Sequence, residues 1–196
     1  MVPSAARNAG PILEVLRQVG LQGRLLEIAS GSGLHAAAMA GELGLDWQPT
    51  DVEPGNFGSI AAWAAVSAGA IRKPVPLDAT APGWAARMGR WDAILLVNLL
   101  HLIPAAAART ILAEVAQALV AGGTFCLYGP FLRDGQPTSP GDAAFHASLR
   151  VQDPTIGYKD LDWVIGLLAK HGLMTRIVEM PANNMMLLSN RGIRQG

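Results

Sequence analysis

The stretch from Arg24 to Ala38 reads RLLEIASGSGLHAAA. A short apolar run carrying one acid, Glu27, gives way to a small-residue loop with two glycines, and an alanine-rich sequence follows. A brief apolar run ahead of turn residues reads as a buried strand, and glycine lets the chain take the tight corner that leads into a helix. The spacing therefore predicts a strand over 25–29, a turn over 30–33, and a helix over 34–43 closed by Gly44. A strand, a glycine turn and a helix in succession open an α/β unit, and the residues of the turn decide which ligand it can hold.

The same alternation continues on both sides. Residues 12–19 carry apolar side chains at helical spacing behind Pro11, a residue suited to a first helical turn. Strands are predicted over 47–50, 75–77, 93–97 and 124–128, with helices over 57–68 and 105–119. The segment GPFLRDGQPTSPGDAAFHASLRVQDP is rich in Gly, Pro and polar residues, with a short helix around 143–149. It reads as a loop or lid spanning 130–158, since a long irregular segment in a compact domain more often serves binding than spacing. A helix over 161–171, capped by Gly172, precedes strands over 174–178 and 185–189 joined by EMPANN, a tight return that predicts an antiparallel pair. The whole reads as one α/β domain over 1–196, with a mostly parallel sheet, helices on both faces and a C-terminal antiparallel hairpin. In such sheets ligands bind at the carboxyl ends of the strands, where Asp51, Asp78, Asn98 and Tyr128 fall.

Bulk composition narrows the function class. Fifteen basic and fifteen acidic residues cancel, so binding to a nucleic-acid backbone has no charge to drive it. Half the chain is hydrophobic (51%), yet no uninterrupted run reaches the roughly 18 apolar residues of a membrane span. The start, MVPSAARNAGP, lacks the apolar core of a secretory leader, and a cytoplasmic protein is expected. The single cysteine, Cys126, stands in the strand-like GTFCLY and reads as a core thiol. Four scattered histidines show no metal-ligand spacing, so no metal is expected.

The ligand follows from the turn. A dinucleotide-binding corner carries G-x-G-x-x-G and rests a pyrophosphate on the helix N-terminus. Here the order is E-x-A-x-G-x-G: Glu27, Ala29, Gly31, Gly33. An acid at the mouth of the turn repels a pyrophosphate and attracts a cation. S-adenosylmethionine carries a sulfonium and an ammonium and has no phosphate, so it fits where NAD(P) does not. Ala29, Ser30, Gly31 and Gly33 then allow close backbone approach. Asp51, with Val52 beside it, follows Gly33 at about the spacing of a ribose-gripping acid. Asp78, with Ala79, suits an adenine amino group. Each acid has a plainer reading as a helix cap or turn residue.

At this point the chain resembles the class I S-adenosylmethionine-dependent methyltransferases, and more closely the family labelled DUF938, UPF0585 or methyltransferase-like 26. The resemblance covers nearly the whole chain, on ARNAGPILEVL, LEIASGSGLHAA, WQPTDVEP, SIAAW, NLLHLIP, LYGPFLRDGQPTSPGDAAFHASLRVQDP, DLDWV and EMPANNMMLL. It implies the Rossmann-like seven-stranded methyltransferase fold and S-adenosylmethionine as cofactor, with a small-molecule acceptor that it does not name. Ala29 departs from the glycine usual at that position in the wider superfamily.

Methyl transfer needs an acceptor lone pair aligned behind the methyl, so proximity supplies much of the acceleration, and a base is required only if the acceptor still holds its proton. His101, just past the fourth strand, is the candidate base, or else a residue packing the next helix. Tyr128 either lines the acceptor pocket or is a core tyrosine. Arg7 and Asn8, placed before the first helix, are candidates to fold over the cofactor carboxylate, and His35 to touch the cofactor from the first turn after the glycines. Arg133, Asp134, His146 and Arg150 are polar groups of the long segment, either reading substrate or solvated; Asn183 and Asn184 read as turn residues. Two other functions fit the pattern less well: a non-catalytic cofactor-binding scaffold, and a nicotinamide-dependent oxidoreductase, which needs a further glycine and no acid in the turn.

Overall fold

The computed structural model describes residues 3–192, and the elements run α1 (Pro3–Val19), β1 (Arg24–Ile28), α2 (Leu34–Leu43), β2 (Asp46–Asp51), α3 (Phe57–Val66), β3 (Val75–Pro76), α4 (Trp84–Met88), β4 (Trp91–Val97) and α5 (Ala105–Ala118). They continue with β5 (Leu119–Leu132), α6 (Pro140–Gln152), β6 (Lys159–Asp160), α7 (Leu161–Lys170), β7 (Leu173–Glu179) and β8 (Asn184–Arg191). Met1 and Val2, at the head of the stretch read for a leader, lie outside the described residues.

The sheet order is β3-β2-β1-β4-β5-β8-β7, with β6 a short addition beside β5. Strands β1 to β5 pair in parallel, while β8 enters between β5 and β7, antiparallel to both. Crossover helices are what parallel pairing requires, and they divide between the two faces. Alternation along each strand assigns side chains to one face or the other. Leu26, Ile28, Ile94 and Leu96 pack with α4, α5 and α7 in one core. Leu25, Ala93, Leu95 and Cys126 pack with α1 and α2 in the other. Burial in that second core pushes the Cys126 thiol up to about 12, as fits a core thiol.

The region around the quoted stretch folds as its composition dictates. Helix α2 occupies 34–43 and ends on Gly44 in the left-handed conformation, its N–H returned to Ala40 and Gly41. Other boundaries differ from the sequence reading. Helix α1 begins at Pro3, so Pro11 lies inside it and Arg7 and Asn8 are helical, not ahead of the helix. Pro11 has no amide to return to the Arg7 carbonyl one turn back, and its ring borders a cavity. The segment read as irregular is mostly regular. β5 runs on to Leu132 because Pro130 pairs with Asn184 and Phe131 with Lys159. The expected short helix is the middle of the 13-residue α6, started by Ser139, whose hydroxyl accepts from the Asp142 amide. Helix α4 and strand β6 were not foreseen. The first is only 5 residues long, held by Glu114 of α5, whose carboxylate accepts the Gly83 and Ala85 amides at its start.

Among the described residues no helix is long and apolar enough to cross a membrane.

Candidate functional site

At the carboxyl ends of β1, β4 and β5 the fold leaves a cavity of about 860 Å³. That is within the usual range for small-molecule sites. Its floor is the turn from Ala29 to Ser32, and Arg7, Asn8 and Pro11 of α1 form one side. Val97 and Asn98 end β4 beneath it, and His101, Tyr128, Asp142, Phe145 and Tyr158 close the far end with the turn before β8.

The turn is stitched to β2. Ser30 N–H donates to Thr50 O at 2.8 Å, Thr50 N–H to Ser30 Oγ at 3.2 Å, and Thr50 Oγ1 to Glu27 O at 2.7 Å. Asp51 Oδ2 accepts the Gly31 amide at 2.7 Å, and its Oδ1 accepts the Glu53 amide at 2.8 Å. Ala29 and Gly31 hold φ of 57° and 55°. Glycine meets that demand freely, whereas Ala29 meets it at a cost of roughly 1–2 kcal/mol from its Cβ. Gly31 lines the cavity, and a Cβ built there meets no protein atom within 4 Å, so the turn presents bare backbone to open space. Gly33 does something else. Its Cβ would lie 3.2 Å from the Ile60 backbone and 3.3 Å from Trp63, so it serves the approach of α3.

Glu27 is not where the sequence reading put it. It is the fourth of five residues in β1 and points to the same face as Leu25, beneath α1 and α2, instead of into the cavity. Its carboxylate accepts Trp47 Nε1–H at 2.9 Å and lies 3.9 Å from His35 Nδ1. Burial pushes it up to about 7, against the opposing pull of Trp47 and Ser30. The expected mouth of the turn is therefore floored, one layer down, by an acid that burial holds partly protonated near neutral pH. Above it, His35 Nε2 donates to Asn8 Oδ1 at 2.9 Å, and both residues reach the cavity wall. Burial holds His35 down at about 4, so it is neutral near pH 7.

The remaining expectations divide. Arg7, Asn8, Ala29, Ser30, Gly31, His35, Asn98, His101 and Tyr128 all border the cavity. Asn98 has φ of 56° and its amide donates to Tyr128 O, which locks the ends of β4 and β5 together. Val52 and Asp78 lie outside it, at the ends of β2 and β3: Val52 is 63% exposed, and Asp78 accepts the Thr80 amide and hydroxyl in its own turn. Ala79 is buried, its carbonyl taking the Trp84 indole N–H. These hydrogen bonds belong to the plainer reading of Asp78 as a turn residue.

His101 is buried on a short 3-10 turn after β4, and burial first, then the charge of Lys159, hold it down at about 4. It is neutral near pH 7 and a weak base. The Tyr128 hydroxyl is raised by burial, which the Asn8 side chain partly offsets. Sequence reasoning missed Asp142, Phe145, Tyr158 and Lys159. The alternation of β5 past Tyr128 and the Ser139-Pro140 helix start were the signals available for them.

Residues 1–191 match the DUF938 family, described as a protein of unknown function. The chain belongs to this family. Among solved structures, this DUF938 chain is similar to an O-methyltransferase family protein from Burkholderia thailandensis, with a TM-score of 0.82 and 18% identity over 96% of this chain and 57% of that one. Human N-acetylserotonin methyltransferase in complex with SAM matches with a TM-score of 0.77 and 15% identity, covering 94% of this chain and 52% of its own. The YcgJ protein from Bacillus subtilis matches with a TM-score of 0.70 and 14% identity, over 92% of this chain and 97% of its own. The DUF938 chain thus has the methyltransferase fold and spans a little over half the length of the first two. The expected mostly parallel sheet with C-terminal antiparallel strands is the one observed.

Proposed function

We propose that the chain is a single-domain methyltransferase that binds S-adenosylmethionine and methylates a small molecule. One observation carries this reading: a glycine turn pinned from below by Asp51 opens bare backbone onto a cavity that runs on to a separate aromatic wall. The likeness of the fold to methyltransferases named as such, one of them in complex with SAM, supports it.

Residues present suit the cofactor. Gly31 and Ser30 would border its amino-acid end, with Arg7 and Asn8 across the cavity from them. The Asp51–Val52 and Asp78–Ala79 corners, which lie along the same sheet edge, would border its adenosine end. When bound, the cofactor supplies an electrophilic methyl on a cationic sulfur. The chain's own part is to orient and to exclude water. Asn98 and Tyr128 fix the β4 and β5 ends under the reacting region, and α6 covers it. Segment 130–158 acts as the cover of the acceptor side. His101 is neutral near pH 7 and too weak a base to keep a released proton there, so it borders the acceptor side as an uncharged ring. Glu27 favours a cation above it only in its ionised fraction.

The test is a calorimetric titration of the purified chain with S-adenosylmethionine and, separately, NADH. Saturable binding of the first alone is expected; preference for NADH would overturn the reading. A second arm incubates the chain with labelled S-adenosylmethionine and a metabolite extract. Labelled methyl product identifies an enzyme, and binding without product identifies a scaffold.

A further inference from the structure

Opposite the glycine turn, the cavity ends on three rings drawn from three parts of the chain. His101, Phe145 and Tyr158 lie with ring centroids 5.9, 6.0 and 6.1 Å apart and planes inclined by 65–70°. These are edge-to-face arrangements, which leave flat apolar surface for a further ring to join. Pro130 and Pro181 continue the wall without adding charge.

Two cations and one acid stand near that wall, and the lysine lies behind it rather than on its surface. Lys159 is buried, and its Nζ donates to Ile103 O at 2.8 Å and Gly157 O at 2.7 Å, residues that flank His101 and Tyr158. Arg7 stands on the cavity wall as a second cation. Asp142 is the acid of this end, and its oxygens already accept from Thr138 and Ser139 hydroxyls, Tyr158 Oη and Asn183 Nδ2. These four neutral donors take up most of its hydrogen-bonding capacity, though its charge remains. A protonated amine acceptor would lie between the lysine buried behind the wall and a cationic methyl donor, with one carboxylate whose hydrogen-bond sites are already taken.

We infer that the acceptor is a flat aromatic molecule bearing a weakly acidic hydroxyl or thiol, laid against the His101–Phe145–Tyr158 wall and reacting as its anion, with Phe145 as a specificity-determining residue. This rests on the methyltransferase reading above. The acceptor gives its proton to solvent on ionising. Its oxygen or sulfur lone pair then forms the bond to the methyl carbon while the carbon–sulfonium bond breaks, and that bond's electron pair returns to sulfur. The weakness of His101 as a base accords with an acceptor that arrives already ionised.

The experiment titrates the chain with 4-nitrophenol and with hexylamine, each in the presence and absence of S-adenosylhomocysteine, and repeats the series on Phe145→Ala. Phe145 is 45% exposed, so its truncation leaves the core intact. Saturable binding of 4-nitrophenol that weakens by about 10-fold in the variant, with S-adenosylhomocysteine affinity unchanged, is expected. No binding of 4-nitrophenol, equal binding by both proteins, or tighter binding of hexylamine overturns the inference. Failure of S-adenosylhomocysteine alone to bind, with the phenol still held by the wall, removes the methyl-transfer reading and leaves the ring site standing.

Discussion

At the scale of single residues, the decisive contact is between Asp51 and the Gly31 amide, across 20 positions of sequence. One carboxylate holds the turn at 2.7 Å and the chain after β2 at 2.8 Å, so two backbone donors depend on it. Removing it leaves those amides to find other partners and frees the turn to move. Asp51→Ala should weaken S-adenosylmethionine binding by about 1–3 kcal/mol, the range for leaving such partners unpaired. Calorimetry on the folded variant checks this, and an unchanged affinity would reduce Asp51 to a local turn residue. Glu27 shows how a residue can be read correctly for chemistry and wrongly for place. Its type and its nearness to the glycines suggested a group facing the ligand. Counting in twos from Leu25 would have turned it to the α1–α2 face, where Trp47 and His35 meet it.

At the scale of elements, the segment over 130–158 changes most between sequence and structure. It is bolted in place: Gly157 N–H donates to His101 O at 3.0 Å, Tyr158 N–H to His146 Nδ1 at 3.0 Å, and Tyr158 Oη to Asp142 Oδ1 at 3.1 Å. Gly157 has φ of 128°, and a Cβ there would come within 2.9 Å of His146 Cε1 and 3.2 Å of Arg150 Cγ. Gly157→Ala should therefore push α6 from the strap before β6, at a cost of about 1–3 kcal/mol from backbone strain and the displaced ring. Urea melts measure the loss, and amide exchange should quicken in α6 while β1 and β4 keep their protection. Uniform exchange across the chain would show that α6 is not a separate unit. The composition here, heavy in Gly, Pro and polar residues, showed only the middle of the helix, over 143–149, because the contacts that fix its full length are tertiary and leave no period in the sequence. Where burial itself sets the period, as in β1, β4 and α2, boundaries were legible to within a residue or two. The far wall of the cavity was illegible for the same reason as α6: His101, Phe145 and Tyr158 meet only after β5, α6 and β6 have docked.

At the scale of the whole molecule, three of the buried titratable groups under and around the cavity, His35, His101 and Glu27, shape stability between about pH 4 and 8. His35 and His101 are held at about 4, below their usual value, so the unfolded chain binds protons more readily than the folded one. Their contribution is fully present above about pH 6.5 and is lost as pH falls through about 4. Glu27 runs the opposite way. It is raised to about 7, so the folded chain keeps a proton that the unfolded chain gives up, and its contribution is present below about pH 4.5 and lost as pH rises through about 7. Between those limits the two histidines outweigh the one acid, so these three groups together contribute most near neutral pH. Glu27→Gln keeps an oxygen for the Trp47 indole and removes the titration. The difference in stability between Glu27→Gln and the parent should then grow by about 3 kcal/mol from pH 4.5 to pH 8, in favour of the variant, about 6–12 °C in Tm for a chain of this length. Thermal melts of both proteins across that range decide it. A difference that stays constant with pH would mean that Glu27 is ionised throughout, and that its carboxylate carries a full charge beneath the glycine turn.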